Sequence, residues 1–334
     1  MASRALRRLA GFALAAHALL GISAFADERA PLALARTLPL AGVRGRIDHL
    51  AFDADGQRLF VAALGNDSVE VLGAQRGERL ASLAVERPTA VVLLGAAARI
   101  AVASGGSGEL LLFDAASYAP RARLGGFEDA DNLRLDPREQ LLYLGFAEGA
   151  LARIDPRGPK LLGRTSLPSH PEAFALAADG SAAFVNLPGS RSIAVWGRNE
   201  SALRARWPTG DLSGNYPIAL DETGRRVLVG FREPPRLVAF DADSGRELGR
   251  IASCGDSDDL FYDAAGERVF VVCGEGAVDW IAAPRGSALR VVERIATRAG
   301  ARTGLLSPAT RELFVALPAR EALPAEIRVY RIAP

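Results

Sequence analysis

Apolar positions along this chain fall into short runs, and the runs recur in a fixed order. A polar or charged residue comes first. An apolar run follows, then a turn rich in Asp, Gly, Pro and Ala, a second apolar run, and a loop containing Gly or Pro. The clearest copy is Asp48-His49-Leu50-Ala51-Phe52-Asp53-Ala54-Asp55-Gly56-Gln57-Arg58-Leu59-Phe60-Val61-Ala62. A degraded copy runs from Thr89 to Ala103. Others run from Asp131 to Gly145, Glu172 to Asn186, Tyr216 to Gly230, Asp258 to Val272 and Arg302 to Ala316. These seven copies, spaced by 41 to 44 residues, are the signature of a radial or linear array of small units.

Each copy reads as four strands. The first predicts strand A over 50–52, B over 59–63, C over 68–72 and D over 79–85. The runs are aliphatic or β-branched and are bounded by Gly, Pro, Asn and Asp, as strands and hairpin turns require. Asp55-Gly56, Asp179-Gly180 and Thr223-Gly224 are expected to supply the positive φ of tight hairpin turns. Beyond the N-terminus no segment carries a 3.6-residue apolar period. A β-sandwich does not repeat four-strand units at fixed spacing, whereas a β-propeller does. The expected fold is therefore all-β, a seven-bladed β-propeller with four-stranded blades.

The last copy supplies only three strands, over 303–306, 312–317 and 326–332. The fourth is expected from the other end of the chain, over 32–40, where Leu34-Ala35-Arg36-Thr37-Leu38 resembles the D strand Leu80-Ala81-Ser82-Leu83. Such an N-terminal strand completes the last blade, hides two sheet edges and joins first to last.

The N-terminus changes the picture of where the chain works. A basic stretch from Met1 to Arg8 precedes an apolar run from Leu9 to Ala24, and Ala24-Phe25-Ala26 fits a small-x-small cleavage site. Residues 1–26 are read as a secretory signal peptide rather than a membrane anchor, because the apolar run is short for a span and contains His17. Residues 27–334 then form a single propeller domain, periplasmic or secreted from a bacterium, with no membrane span and expected to be a monomer. Removing the signal takes away three arginines and no acid, so 40 basic residues become 37 against 39 acids and the net charge is near −2. No basic region stands out, which argues against nucleic acid as a partner. Cys254 and Cys273, the only cysteines, are expected to form a disulfide in an exported chain.

The first position of each copy points into one mouth of the central channel. Around the ring it reads Asp48, Thr89, Asp131, Glu172, Tyr216, Asp258 and Arg302. His49, His170 and Asp259 lie beside this band, and apart from His17 the chain has no other histidine. Asp48, His49, Asp131, His170, Glu172, Tyr216, Asp258, Asp259 and Arg302 are the candidate ligand-binding residues. Carboxylates facing one mouth repel one another unless a cation compensates them. That makes a divalent cation the candidate cofactor, held by Asp48, Asp131 and Asp258. The competing reading is that an Asp at a strand start only satisfies backbone N–H groups. No Walker loop, Gly-x-Ser-x-Gly elbow, His-Glu-x-x-His or Cys-x-x-Cys occurs, and no catalytic residue is identified.

With B strands such as Leu59-Phe60-Val61-Ala62 and Ala183-Phe184-Val185-Asn186, the chain resembles the YVTN-repeat, YncE-like exported bacterial propellers. The resemblance covers nearly all of residues 27–334. It is most specific in Gly45-Arg46-Ile47-Asp48-His49-Leu50, His170-Pro171-Glu172-Ala173-Phe174, the stretch from Cys254 to Asp263, and Cys273-Gly274-Glu275-Gly276. The literal Tyr-Val-Thr-Asn does not occur, and Phe184-Val185-Asn186 comes nearest. The resemblance implies an exported propeller and no single activity. The function expected is a binding or scaffold protein that receives a small ligand or a periplasmic protein at the channel mouth. The alternatives are a metal-assisted, lactonase-type hydrolase and an accessory protein to a periplasmic redox enzyme.

Overall fold

The computed structural model describes residues 32–95, 98–197, 200 and 202–333. The expected signal peptide, residues 1–26, lies outside them. The described chain forms seven four-stranded antiparallel sheets. Their innermost strands are Leu50–Asp53, Pro88–Leu94, Leu133–Asp136, Phe174–Leu176, Ser213–Asp221, Ser257–Asp263 and Gly304–Ser307. Each innermost strand contacts the next around the ring, and Gly304–Ser307 returns to Leu50–Asp53. We number the blades 1 to 7 in that order and letter their strands A to D from the channel outward. In blade 1 the strands are Leu50–Asp53, Arg58–Ala63, Ser68–Gly73 and Arg79–Ala84, within two residues of the sequence reading at every end.

The outermost strand of blade 7 is Leu32–Pro39, antiparallel to Glu326–Ile332 with Leu32 opposite Ile332 and Pro39 opposite Glu326. The ring is thus closed by the N-terminal strand. Among the described residues no helix is long and apolar enough to cross a membrane.

Strand periodicity explains the distribution of the core. Successive side chains point to opposite faces of a sheet, so each blade serves two interfaces. Phe60 and Ala62 pack with Ile100 and Val102 of blade 2. Their neighbours Leu59, Val61 and Ala63 pack with Phe314, Ile327 and Val329 of blade 7. Seven apolar clusters result, one per interface. The B and C strands of blade 1 are buried along their length apart from Arg58, while Arg79–Ala84 is largely exposed. That gradient is why the inner runs read as continuously apolar.

One expectation about turns fails instructively. Gly180 has φ 82°, but in the blade 1 and blade 5 turns the positive φ falls on Gln57 (50°) and Arg225 (50°), not on Gly56 and Gly224. Glycine is required there for space. A Cβ on Gly56 would stand 2.3 Å from Asp53 Oδ2, and one on Gly224 would stand 2.1 Å from Asp221 Oδ2. Those carboxylates fold under the turn. Asp53 Oδ1 accepts the Gly56 N–H at 2.9 Å, and Asp221 Oδ1 accepts the Gly224 N–H at 2.9 Å. Their second oxygens bind Arg58 at 2.6 Å and Arg226 at 2.8 Å. The arginines then donate to carbonyls of the following blade, Arg58 to Ala115 and Arg226 to Ala283. Blade 6 repeats the device, with Asp263 holding Arg268 and Arg268 donating to Ala333 at 2.7 Å. Asp-x-x-Gly-x-Arg is therefore an inter-blade staple.

The disulfide Cys254–Cys273 is formed, with Cα atoms 5.8 Å apart. It ties the segment entering strand A of blade 6 to the end of its strand B.

Candidate functional site

The repeat register carries through to the backbone. Asp48, Asp131 and Glu172 donate their N–H groups to the carbonyls of Ala62, Gly145 and Asn186, at 2.7, 3.0 and 3.0 Å. These residues are thus structural equivalents at the start of their inner strands. Their side chains have different environments, and the mouth divides into two sectors.

The first sector spans blades 5, 6, 7 and 1, and its acids are matched by arginines. Asp258 pairs with Arg232, with Arg46 at 3.6 Å and with Arg302 at 3.8 Å. Asp256 pairs with Arg302 at 2.8 Å and Arg232 at 3.6 Å. The Arg232 guanidinium sits 3.6 Å from the Tyr216 ring centroid, a cation–π contact that fixes its aim. Arg46 also reaches Asp48 at 3.2 Å, and His49 lies 3.8 Å from the same carboxylate. These are ion-pair distances without hydrogen-bond geometry: Asp48 is 1% exposed, and neither of its oxygens has a hydrogen-bond partner. Burial pushes its carboxyl up to about 7, against the pull of His49 and Arg46. A carboxylate that caps nothing is poorly explained as a turn residue.

His49 Nδ1 lies 3.3 Å from the Asp259 carboxylate, which also accepts the Gly304 N–H at 2.9 Å. Burial disfavours the imidazolium, but Asp259 and Asp48 outweigh it and raise His49 to about 9. Both acids thus favour the imidazolium form of His49. Deeper in the channel Arg134 donates to Asn132 at 3.0 Å and lies over the Phe174 ring at 5.7 Å. Burial lowers its pKa.

In the second sector, on blades 3 and 4, no arginine among the described residues lies within ion-pair distance of an acid of the group. Asp131, His170 and Glu172 each offer a ligand atom, all within 4.8 Å of one another. His170 Nδ1 faces the Ala147 carbonyl at 2.6 Å, and Nε2 stands 3.8 Å from Asp131 Oδ2. Asp131, opposed by burial and helped by the Ala147 carbonyl, raises His170 to about 9. Burial and then Asp131 push Glu172 up to about 7. Burial would raise Asp131 as well, but His170 and His49 hold it below the ordinary carboxylate range.

Contacts join Asp48, His49, Tyr216, Asp258, Asp259 and Arg302 in one group, through Arg46 and Arg232, and Asp131, His170 and Glu172 in another. The expected cation set of Asp48, Asp131 and Asp258 is not the one assembled among the described residues. Arg46 lies between Asp48 and Asp258, and Asp131 is grouped with His170 and Glu172 instead. Sequence reasoning missed Arg232 and Arg134. Arg134 stands where the other inner strands carry Ala51, Val92, Ala175, Ala219, Phe261 and Leu305, so a charge in an apolar register position was its signal. Arg232 closes strand B of blade 5, outside the register position, and had no such signal.

Along the inner strands the channel holds an open cavity of about 520 Å³. His49, Arg134, Asp258 and Asp259 give it polar walls, and Phe52, Val91, Leu135, Leu260 and Leu305 give it apolar ones.

No protein-family model matches this chain. No curated protein is similar to it. Among solved structures it is similar to a chain in the crystal structure of a mitotic checkpoint complex, with TM-score 0.78 and 17% identity over 98% of this chain and 99% of that one. That likeness shows the propeller fold. With 1682 chains matching in total, the fold selects no activity by itself.

Proposed function

We propose that the chain is an exported binding propeller of the YVTN-repeat, YncE-like kind, periplasmic once residues 1–26 are removed. It takes a small charged organic molecule, or a charged side chain of a protein partner, at the channel mouth. The observation that carries this reading is the union of a cavity of about 520 Å³ with a rim of fixed charges above apolar walls. Arg232, Arg302 and Arg46 converge on Asp258 from three blades. A charged head entering there exchanges with ion pairs already desolvated, while its apolar body displaces water from the channel. Binding sites combine these features: a mostly apolar concavity and a few convergent polar groups. The propeller is a rigid support for converging loops.

The test is a thermal-shift screen of small charged metabolites against the purified protein, repeated on Arg232→Ala and Asp258→Asn. Ligands that stabilise the wild type and lose at least tenfold in affinity in both variants support the reading. Ligands indifferent to both substitutions place binding elsewhere and overturn it.

A second reading, a metal-assisted hydrolase, draws support only from the Asp131–His170–Glu172 group. It requires hydrolysis of a lactone or ester that stops when His170 is replaced.

A further inference from the structure

The mouth compensates its acids unevenly. Asp256 and Asp258 have arginines, whose charge is permanent. Asp48 has Arg46. Asp259 has His49 and a backbone N–H. Asp131 accepts an amide N–H from Asn132 at 3.1 Å and has His170 at 3.8 Å, and Glu172 places a ligand atom within 4.8 Å of both. Among the described residues no arginine lies within ion-pair distance of either. Two carboxylates beside one exchangeable positive charge form a place where a metal ion and a proton compete.

We propose that Asp131, His170 and Glu172 bind a divalent cation of zinc or manganese type at the channel mouth, through two carboxylate oxygens and one imidazole nitrogen. The site rests on the geometry of blades 3 and 4 and stands whether or not the mouth also receives an organic ligand.

Two further observations carry it. First, His170 is held as a ligating histidine is held. The Ala147 carbonyl, 2.6 Å from Nδ1, accepts the N–H there and turns Nε2 toward Asp131 at 3.8 Å, where an ion binds in place of the Nε2 proton. A backbone carbonyl behind a histidine fixes its tautomer and ring orientation in metal sites. Second, the spacing suits a contraction onto an ion. Bonds of about 2.1 Å at tetrahedral angles place ligand atoms roughly 3.4 Å apart. The present separations are 3.8 Å for His170 and Asp131 and at most 4.8 Å for the set. Closing by about 1 Å is a matter of side-chain rotamers, and the ligand-bearing backbone is fixed by hydrogen bonds to Gly145 and Asn186.

The donor set selects the ion. An imidazole disfavours calcium and magnesium, which take oxygen ligands, and two carboxylates with no thiolate disfavour copper(I). Three protein ligands leave at least one position open to water or to a ligand carboxylate, as in zinc sites that do more than hold a fold together.

The experiment is calorimetric titration of chelator-stripped full-length exported protein with Zn²⁺, Mn²⁺ and Ca²⁺, each alone. Visible spectra are recorded with Co²⁺ as a reporter of the ligand field. The expected result is one ion per chain for Zn²⁺ and Co²⁺, with no calcium heat. Affinity should fall at least tenfold in His170→Ala and in Glu172→Gln, and the Co²⁺ bands should be lost in His170→Ala. Asp243→Asn, on an exposed turn of blade 5, should bind as the wild type does. Each variant is checked for an unchanged circular dichroism spectrum, and His170→Gln replaces His170→Ala if the latter unfolds. No stoichiometric binding by the wild type, or binding retained in both ligand variants, overturns the site. Neither result touches the organic-ligand reading, because no organic ligand is present in the cell.

Discussion

Arg36 and Glu312 form a two-pronged ion pair, Nη1 to Oε1 at 2.5 Å and Nη2 to Oε2 at 3.1 Å, between positions 276 residues apart. Arg36 lies on the closing strand, and Glu312 begins strand B of blade 7. In blades 1, 5 and 6 that position carries Arg58, Arg226 or Arg268, each donating to a carbonyl of the next blade. In blade 7 the charges are exchanged. Arg36 Nε donates to Ala74 O of blade 1 at 2.8 Å, and Glu312 holds the guanidinium. The inter-blade staple is thereby kept across the seam where the ring closes.

Arg36→Ala should therefore destabilise the ring by more than an exposed ion pair would. The side chains are only 18% and 10% exposed, and the loss should be about 1–3 kcal/mol, between the values for exposed and buried pairs. Deleting residues 27–40 should lower the melting temperature far more, because it removes a whole strand and bares the edge of Glu326–Ile332. Thermal denaturation followed by circular dichroism compares the two. Equal, small effects would mean that the closing strand contributes little.

A turn glycine and a strand glycine predict a sharp contrast. Gly224→Ala drives a methyl into the Asp221 carboxylate and should dislodge Arg226 from the next blade, costing ~1–3 kcal/mol. Gly163 has open space around its Cβ position and lies within strand Lys160–Ser166. Gly163→Ala should be neutral or stabilising by up to ~1 kcal/mol. Urea midpoints of the two variants decide it.

Stability should fall as pH rises through the neutral range. His49 is raised from 6.5 to about 9, so its contribution is complete below 6.5 and is lost as pH climbs through 9. Asp48 is raised from 3.8 to about 7. The folded state holds that proton more tightly than the unfolded chain, and the advantage disappears between pH 4 and pH 7. His49→Gln should thus cost more at pH 6 than at pH 10. Asp48→Asn should stabilise the protein at pH 8 and change little at pH 4. Denaturant titrations at these pH values are the measurement, and a larger penalty for His49→Gln at pH 10 would reverse the assignment.

Reducing the Cys254–Cys273 bond should lower stability by ~3 kcal/mol, the chain-entropy value for a loop of its 19-residue separation. It should also loosen the segment that carries Asp256 and Asp258. The double variant Cys254→Ala/Cys273→Ala, compared with the oxidised protein in a melting experiment, provides the check. Affinity for a mouth ligand should fall along with the melting temperature.

The architecture was legible because a propeller is assembled from local units. Hairpins such as Leu50–Asp53 with Arg58–Ala63 join residues a few positions apart, and the alternation of Leu59, Phe60 and Val61 specifies two apolar faces that only neighbouring blades can cover. A period of 41 to 44 residues is then enough to imply a ring. The candidate site was legible in part for the same reason: register alone places Asp48, Asp131, Glu172 and Asp258 at equivalent points of their blades.

What register could not supply was which charge meets which. His49 finds Asp259 across 210 positions of sequence. Arg232 reaches Asp258 from the end of another blade's second strand. The sector holding Asp131, His170 and Glu172 is left without an arginine by the same accidents of reach. By itself the sequence determined the fold, the closing strand and the presence of a charged mouth, because each follows from short-range pattern or from strict repetition, and its two cysteines left one intramolecular pairing open. The tertiary structure decided the pairing, the burial and hence the protonation of that mouth. Those depend on side-chain lengths and directions summed around a closed ring, and that sum exists only once the last blade meets the first.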